Sequence, residues 1–116
     1  MTILNRHSER AVTFLPGQVR LLHVRIDGRR IEDFNDEDLR LEELAADLSE
    51  HGVKKPVIVM DRDHFRVVVD GTRRARAAVI AGVDLPSVLV TCKCTKNGIE
   101  PCSHVRVLIQ QNQREN

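Results

Sequence analysis

The 116-residue sequence predicts one compact α+β domain, a small mixed sheet packed by short helices. Three observations carry that prediction. A helical apolar period runs over about 36–51, and two β-branched runs, Val57–Met60 and Arg66–Val69, flank a short polar break. An alanine-rich stretch, Arg73–Ala81, follows Gly71 and closes at Gly82. Helix, hairpin and helix in that order, followed by a strand and a last helix, make a layered domain around one core. A chain of this length buries one modest core and not two.

Taken in order, residues 1–18 read as an N-terminal arm, because their apolar residues keep no period and Pro16-Gly17 is a turn signal. The domain proper is then 19–116. Val19–Ile26 is expected as a short strand ending in a turn at Asp27-Gly28. In the helix at 36–51, Asn35 or Asp36 suits the cap, and Asp36, Glu37 and Asp38 suit the positive end of the helix dipole. Leu41, Leu44, Ala45 and Leu48 form one stripe, and Gly52 stands where a left-handed residue ends a helix. The β-branched runs around Asp61-Arg62-Asp63-His64 read as a hairpin. Ser87–Thr91 is expected as a strand, Asn97-Gly98 as a turn, and Pro101 opens a helix through about Arg114.

Composition excludes several functions. Hydrophobic residues make up 41% and charged residues 30%, as in an ordinary soluble globular domain, and no apolar run approaches the roughly 20 residues of a membrane span. A net charge of +1 argues against a uniformly basic nucleic-acid surface, so any positive site is local. Three Phe with no Trp or Tyr count against base-stacking platforms of the single-strand or RNA-recognition type. An N-terminus without an export signal, together with three cysteines, an odd number, points to a reducing cytoplasm.

The chemistry concentrates at Asp70-Gly71-Thr72-Arg73-Arg74. Arg73, Arg74 and Arg76 crowd the start of a helix, an end that already carries about half a positive charge and unpaired N–H groups. A local conflict of that kind is expected where an anion sits, and a phosphate accepts from N–H groups and guanidinium forks together. Gly71 allows close backbone approach, and Thr72 is a suitable N-cap. The plainer reading pairs these arginines with Asp70, Asp61 or Asp63. No Walker motif is present. His51 and His64 suit ordinary surface roles.

Cys92, Cys94, Cys102 and His104 could close a tetrahedral zinc site in one strand register only, with Cys94 opposite Cys102 and Cys92 opposite His104. If 101–114 is helical, Cys102 and His104 point apart by about 200° and the site disappears. Zinc is therefore the less favoured reading.

Three segments together resemble the N-terminal domain of ParB partition proteins. They are His51-Gly52-Val53-Lys54-Lys55-Pro56-Val57-Ile58-Val59, Val69–Ala78 with Ala81-Gly82-Val83, and Leu108–Glu115. The family patterns are G-V-L-Q-P-I, G-E-R-R-x-R-A-A and L-I-E-N-x-Q-R-E, in the same order over about 20–116. The resemblance implies the ParB/sulfiredoxin fold, with nucleotide phosphates held by the arginine motif, and CTP with magnesium closing a clamp on DNA. It implies that Gly71, Thr72, Arg73 and Arg74 contact phosphate, Lys55 flanks the base or ribose, and Gln110, Gln111 and Arg114 close over the triphosphate. Thr72 stands where the family has Glu, Lys55 where it has Gln, and Gln110-Gln111 where it has Glu-Asn. Hard cations prefer carboxylate oxygen, so the last change counts against magnesium and hydrolysis more than against binding. Thr72 also stands where sulfiredoxin has its reactive Cys, which excludes that thiol chemistry.

The expected function is a CTP- or nucleotide-binding module in DNA partition or DNA-associated regulation, forming a homodimer. Contact with DNA would be non-specific or made through a further domain or partner, since the sequence stops before a helix-turn-helix could follow. The alternatives are a nuclease, phosphodiesterase or small-molecule kinase of the same fold, and a zinc-stabilised interaction module.

Overall fold

The β-branched run at the middle of the sequence forms the middle of the sheet. The computed structural model describes residues 7–24, 28–34, 39–61, 65–92 and 103–114. Its elements are β1 (His7–Phe14), α1 (Pro16–Val19), β2 (His23–Val24), α2 (Leu39–His51), β3 (Val57–Asp61), β4 (Arg66–Asp70), α3 (Thr72–Ala81), β5 (Leu85–Cys92) and α4 (Ser103–Arg114). A single 3₁₀ turn, Ile31–Asp33, lies between β2 and α2.

The sheet runs β1-β5-β3-β4-β2. β5 pairs antiparallel with β1 and parallel with β3; β4 pairs antiparallel with β3 and parallel with β2. It is mixed, as expected. Val57, Ile58, Val59 and Met60 are all buried, because both faces of β3 are covered. Val57 and Val59 join Val68, Leu85 and Leu89 beneath α2 and α3. Ile58 and Met60 join Val67, Val69 and Val90 beneath Val105 and Ile109 of α4. A continuous apolar strand thus serves two half-cores, one on each side.

α2 buries Leu41, Ala45 and Leu48, with Leu44 partly buried, which is the stripe read from the sequence. Gly52 donates back to the Leu48 carbonyl at 2.7 Å and ends the helix as expected. In α3 the alanines explain themselves: Ala75, Ala77 and Ala78 are fully buried, and only small side chains let this helix lie close on α2 and the sheet.

Two expectations change. Much of the stretch read as an arm is sheet: His7–Phe14 pairs along its whole length with Leu85–Cys92. Its apolar period was hidden because an edge strand buries little, here Phe14 with Val12 partly buried. Within the described part of the strand expected at Val19–Ile26, residues 19–24, the chain is instead the end of α1 and the two-residue β2. There Pro16 sits in the first turn of a short helix, a position that needs no N–H from it. The cap candidates Asn35 and Asp36, the hairpin tip Arg62–His64 and the turn Asn97-Gly98 lie outside the described residues.

Leu89 is 2% exposed in the core beneath α2 and α3. Leu89→Ala is therefore expected to cost about 2–5 kcal/mol. Urea unfolding should show a lower midpoint with an unchanged slope.

Candidate functional site

β4 runs straight into α3, and the turn between them is one residue, Gly71. It takes φ +99° and ψ +28° as the residue before the helix, and no side chain caps the helix there. Thr72 is the first helical residue and not the N-cap, which corrects the sequence expectation. The N–H groups of the first turn of α3 are left without intrahelical partners by the geometry of any helix. Residue 71 has no side chain for a second reason. A Cβ on it would lie 2.5 Å from Cγ1 of Val57 and 3.0 Å from Nη2 of Arg74.

The three arginines that crowd this helix start have different surroundings. Arg74 folds back over Gly71, and its Nη1 donates to the carbonyls of Lys55 at 2.6 Å and Pro56 at 3.1 Å. Its Nη2 lies 3.9 Å from Oδ2 of Asp70, both side chains being mostly buried at 22% and 14% exposure. Part of the plainer reading therefore holds: Arg74 has a carboxylate partner. Arg76 turns away and stacks over Phe34, with its Cζ 4.4 Å from the ring centroid, where Arg29 also stacks at 4.1 Å. Arg73 is exposed at the helix start.

Arg74 is the joint between two of the sequence segments. The peptide carbonyls just before β3 accept its hydrogen bonds, so Lys55-Pro56 is held against the start of α3. The third segment arrives from the other face of the sheet. Asn112 of α4 donates through Nδ2 to Oδ2 of Asp70, the last residue of β4. Lys55, Asp70, Gly71, Arg74 and Asn112 thus meet at one end of the sheet. The sequence offers Asp70 as a turn former and charge partner, or with Asp61 and Asp63 as a metal ligand, and gives Asn112 no role within the Leu108–Glu115 segment. No local signal could have found either, since the bond between them spans 42 positions in sequence.

Gln110 and Gln111 are exposed on α4, whose range also includes Arg114. Asp61 pairs with Arg66, Nε to Oδ1 at 3.4 Å, and takes no part in the junction. His51 pairs with Asp47 at the end of α2, an ordinary surface role.

For the zinc set, the structure removes the required register. His104 lies in the first turn of α4 and not on a strand paired with β5, so it cannot stand opposite Cys92 as that site needed. Cys94 and Cys102 lie outside the described residues, and the described residues hold no cluster of three potential metal ligands. Among them, no helix is long and apolar enough to cross a membrane.

Comparison with known proteins follows the same lines. Residues 17–100 match the family model of the ParB N-terminal domain. Over 78 residues the chain is 41% identical to a probable chromosome-partitioning protein ParB of Treponema pallidum, covering 66% of this chain and 22% of that protein. Among solved structures, a C-terminally truncated chromosome-partitioning protein ParB from Caulobacter crescentus, complexed with CTP-gamma-S, superposes with a TM-score of 0.54 at 19% identity. That match covers 91% of this chain and 52% of that one. Sulfiredoxin from Arabidopsis thaliana gives a TM-score of 0.49 at 13% identity over 90% of this chain and 98% of that one. With the family model spanning most of its length, the chain belongs to the ParB N-terminal domain family.

Proposed function

We propose that this chain binds a nucleoside triphosphate, CTP, at the Gly71–Arg74 junction and acts in DNA partition. The observation that carries the reading is the convergence through Arg74, which holds the Lys55-Pro56 segment against a helix start rich in cations. Backbone N–H groups at the start of α3, with Thr72 and Arg73 beside them, suit the phosphates. Lys55 would flank the base or ribose, and Gln110, Gln111 and Arg114 would close from α4. The Caulobacter crescentus ParB that shares this fold was solved with a CTP analogue, and the Treponema pallidum relative is a probable partition protein, which supports the choice of ligand and process. The wider reading is a cytoplasmic homodimer that reaches DNA through a further domain or partner.

Magnesium does not fit the protein side of the junction as well as phosphate does. Asp70, the carboxylate in its network, is committed to Asn112 and Arg74, and amides stand at 110 and 111.

Calorimetric titration with CTP, ATP, GTP and UTP, with and without magnesium, tests the proposal. CTP is expected to bind with a single site per chain, and Arg73→Ala to weaken it at least about tenfold, roughly 1.4 kcal/mol. The melting temperature of the exposed Arg73→Ala variant is measured beside the titration, so that affinity lost at an unchanged melting temperature belongs to the ligand. Failure of all four nucleotides to bind would defeat the reading.

A further inference from the structure

α4 packs on the face of the sheet opposite α2 and α3, yet its last turn is tied to the start of α3. Val105 and Ile109 lie four apart and bury against β3, β4 and β5. Asn112 comes three residues later on the same side of the helix, where β4 has reached its end at Asp70. One carboxylate oxygen of Asp70, Oδ2, accepts from Asn112 and faces Nη2 of Arg74 at 3.9 Å. Arg74 in turn holds the carbonyls of Lys55 and Pro56. The chain of contacts is continuous from α4 to the segment before β3.

We infer that Asp70 is a positioning residue that couples the docking of the last turn of α4 to the placement of Arg74. Its carboxylate divides its capacity between a neutral donor on α4 and a cation on α3. When Asn112 satisfies it, Arg74 needs to supply less, and Nη2 is available to a second anion. When Asn112 is lost, the same oxygen claims Arg74 more fully, and an incoming phosphate has to compete with it. Coupling of this kind is reciprocal, so a ligand that engages Arg74 also changes how firmly the end of α4 is held. The consequence for binding rests on the nucleotide reading above; the coupling itself does not.

The test therefore begins without ligand. Amide hydrogen exchange over 110–114 and the Arg74 Nε–H resonance are measured in the wild type, Asn112→Ala, Asp70→Asn and the exchange pair Asp70→Asn with Asn112→Asp. Asn112→Ala is expected to speed exchange in that turn severalfold and to shift the Arg74 resonance, although position 112 does not touch Arg74 in the network described. The exchange pair reverses donor and acceptor and should restore slow exchange, which loss of packing alone would not allow. An unmoved Arg74 resonance in Asn112→Ala, or unchanged exchange in α4, overturns the inference. CTP titration then reads the linkage: Asn112→Ala should bind severalfold more weakly, and equal affinity with wild type overturns the coupling to the ligand site. If the wild type itself binds no nucleotide, the proposed function fails, while the ligand-free exchange and resonance data still decide the inference.

Discussion

Gly71→Ala is expected to destabilise the chain by about 2–5 kcal/mol, from strain at a left-handed backbone position together with overpacking. The two costs arise separately. At φ +99° an L side chain is strained whatever space surrounds it. In addition, the new methyl would stand 2.5 Å from Cγ1 and 3.0 Å from Cβ of Val57. Val57 is fully buried on β3, in a core with no slack, and its branched side chain has few alternative rotamers. Relief would require the start of α3 to move away from β3, which pulls Arg74 off the Lys55 and Pro56 carbonyls. Gly82→Ala is the control, because Gly82 is also left-handed at φ +69° but a Cβ there meets nothing within 4 Å. It should cost only the strain, about 1–2 kcal/mol. In a Val57→Ala background the extra cost of Gly71→Ala should fall without vanishing, a coupling measurable by a double-mutant cycle in urea. Equal losses for the two glycine variants would mean that the contact with Val57 is unimportant.

How much of this was readable beforehand follows from how local each signal is. The hairpin β3–β4, the helix α3 between Gly71 and Gly82, and the stripe on α2 are written in adjacent residues with a short period, and the structure places them as read. α4 begins at Ser103 and ends at Arg114, close to the expected span. The edge strand β1 escaped because an edge buries few side chains and so leaves no alternation to detect. At the site, the sequence locates the helix start and its excess of positive charge, and the resemblance sets Arg73 and Arg74 apart from Arg76, but nothing local separates Arg73 from Arg74. Which guanidinium turns inward depends on distant partners: Arg74 meets carbonyls 18 and 19 positions earlier, while Arg76 meets the ring of Phe34. Thr72 looked like a cap because threonine is a good one. The chain instead caps with Gly71, since β4 must turn into α3 within one residue and in contact with Val57.

Arg74 is the position where stability and ligand binding should fall together. Arg74→Ala removes two hydrogen bonds from a charged donor to the Lys55 and Pro56 carbonyls and the ion pair to Asp70. Bonds to charged groups contribute about 1.5–3 kcal/mol each when measured singly, and losses within one network do not add, so a net cost of about 2–4 kcal/mol is expected. Asp70, 14% exposed, would keep Asn112 but lose its countercharge. Arg74→Lys separates charge from geometry. An ammonium on a flexible stem restores the charge near Asp70, but it lacks the planar fork that reaches two carbonyls and a carboxylate at once. It should therefore recover less than half of the lost stability. CTP affinity should follow the same order, wild type above Arg74→Lys above Arg74→Ala, because the Lys55-Pro56 segment is released in both variants. Arg73→Ala is expected to behave differently, losing affinity with a smaller change in its urea midpoint than Arg74→Ala shows. If Arg74→Lys instead bound CTP as wild type does while remaining destabilised, Arg74 would be a structural clamp with no part in the ligand site. The phosphate would then fall to Thr72, Arg73 and the backbone N–H groups at the start of α3.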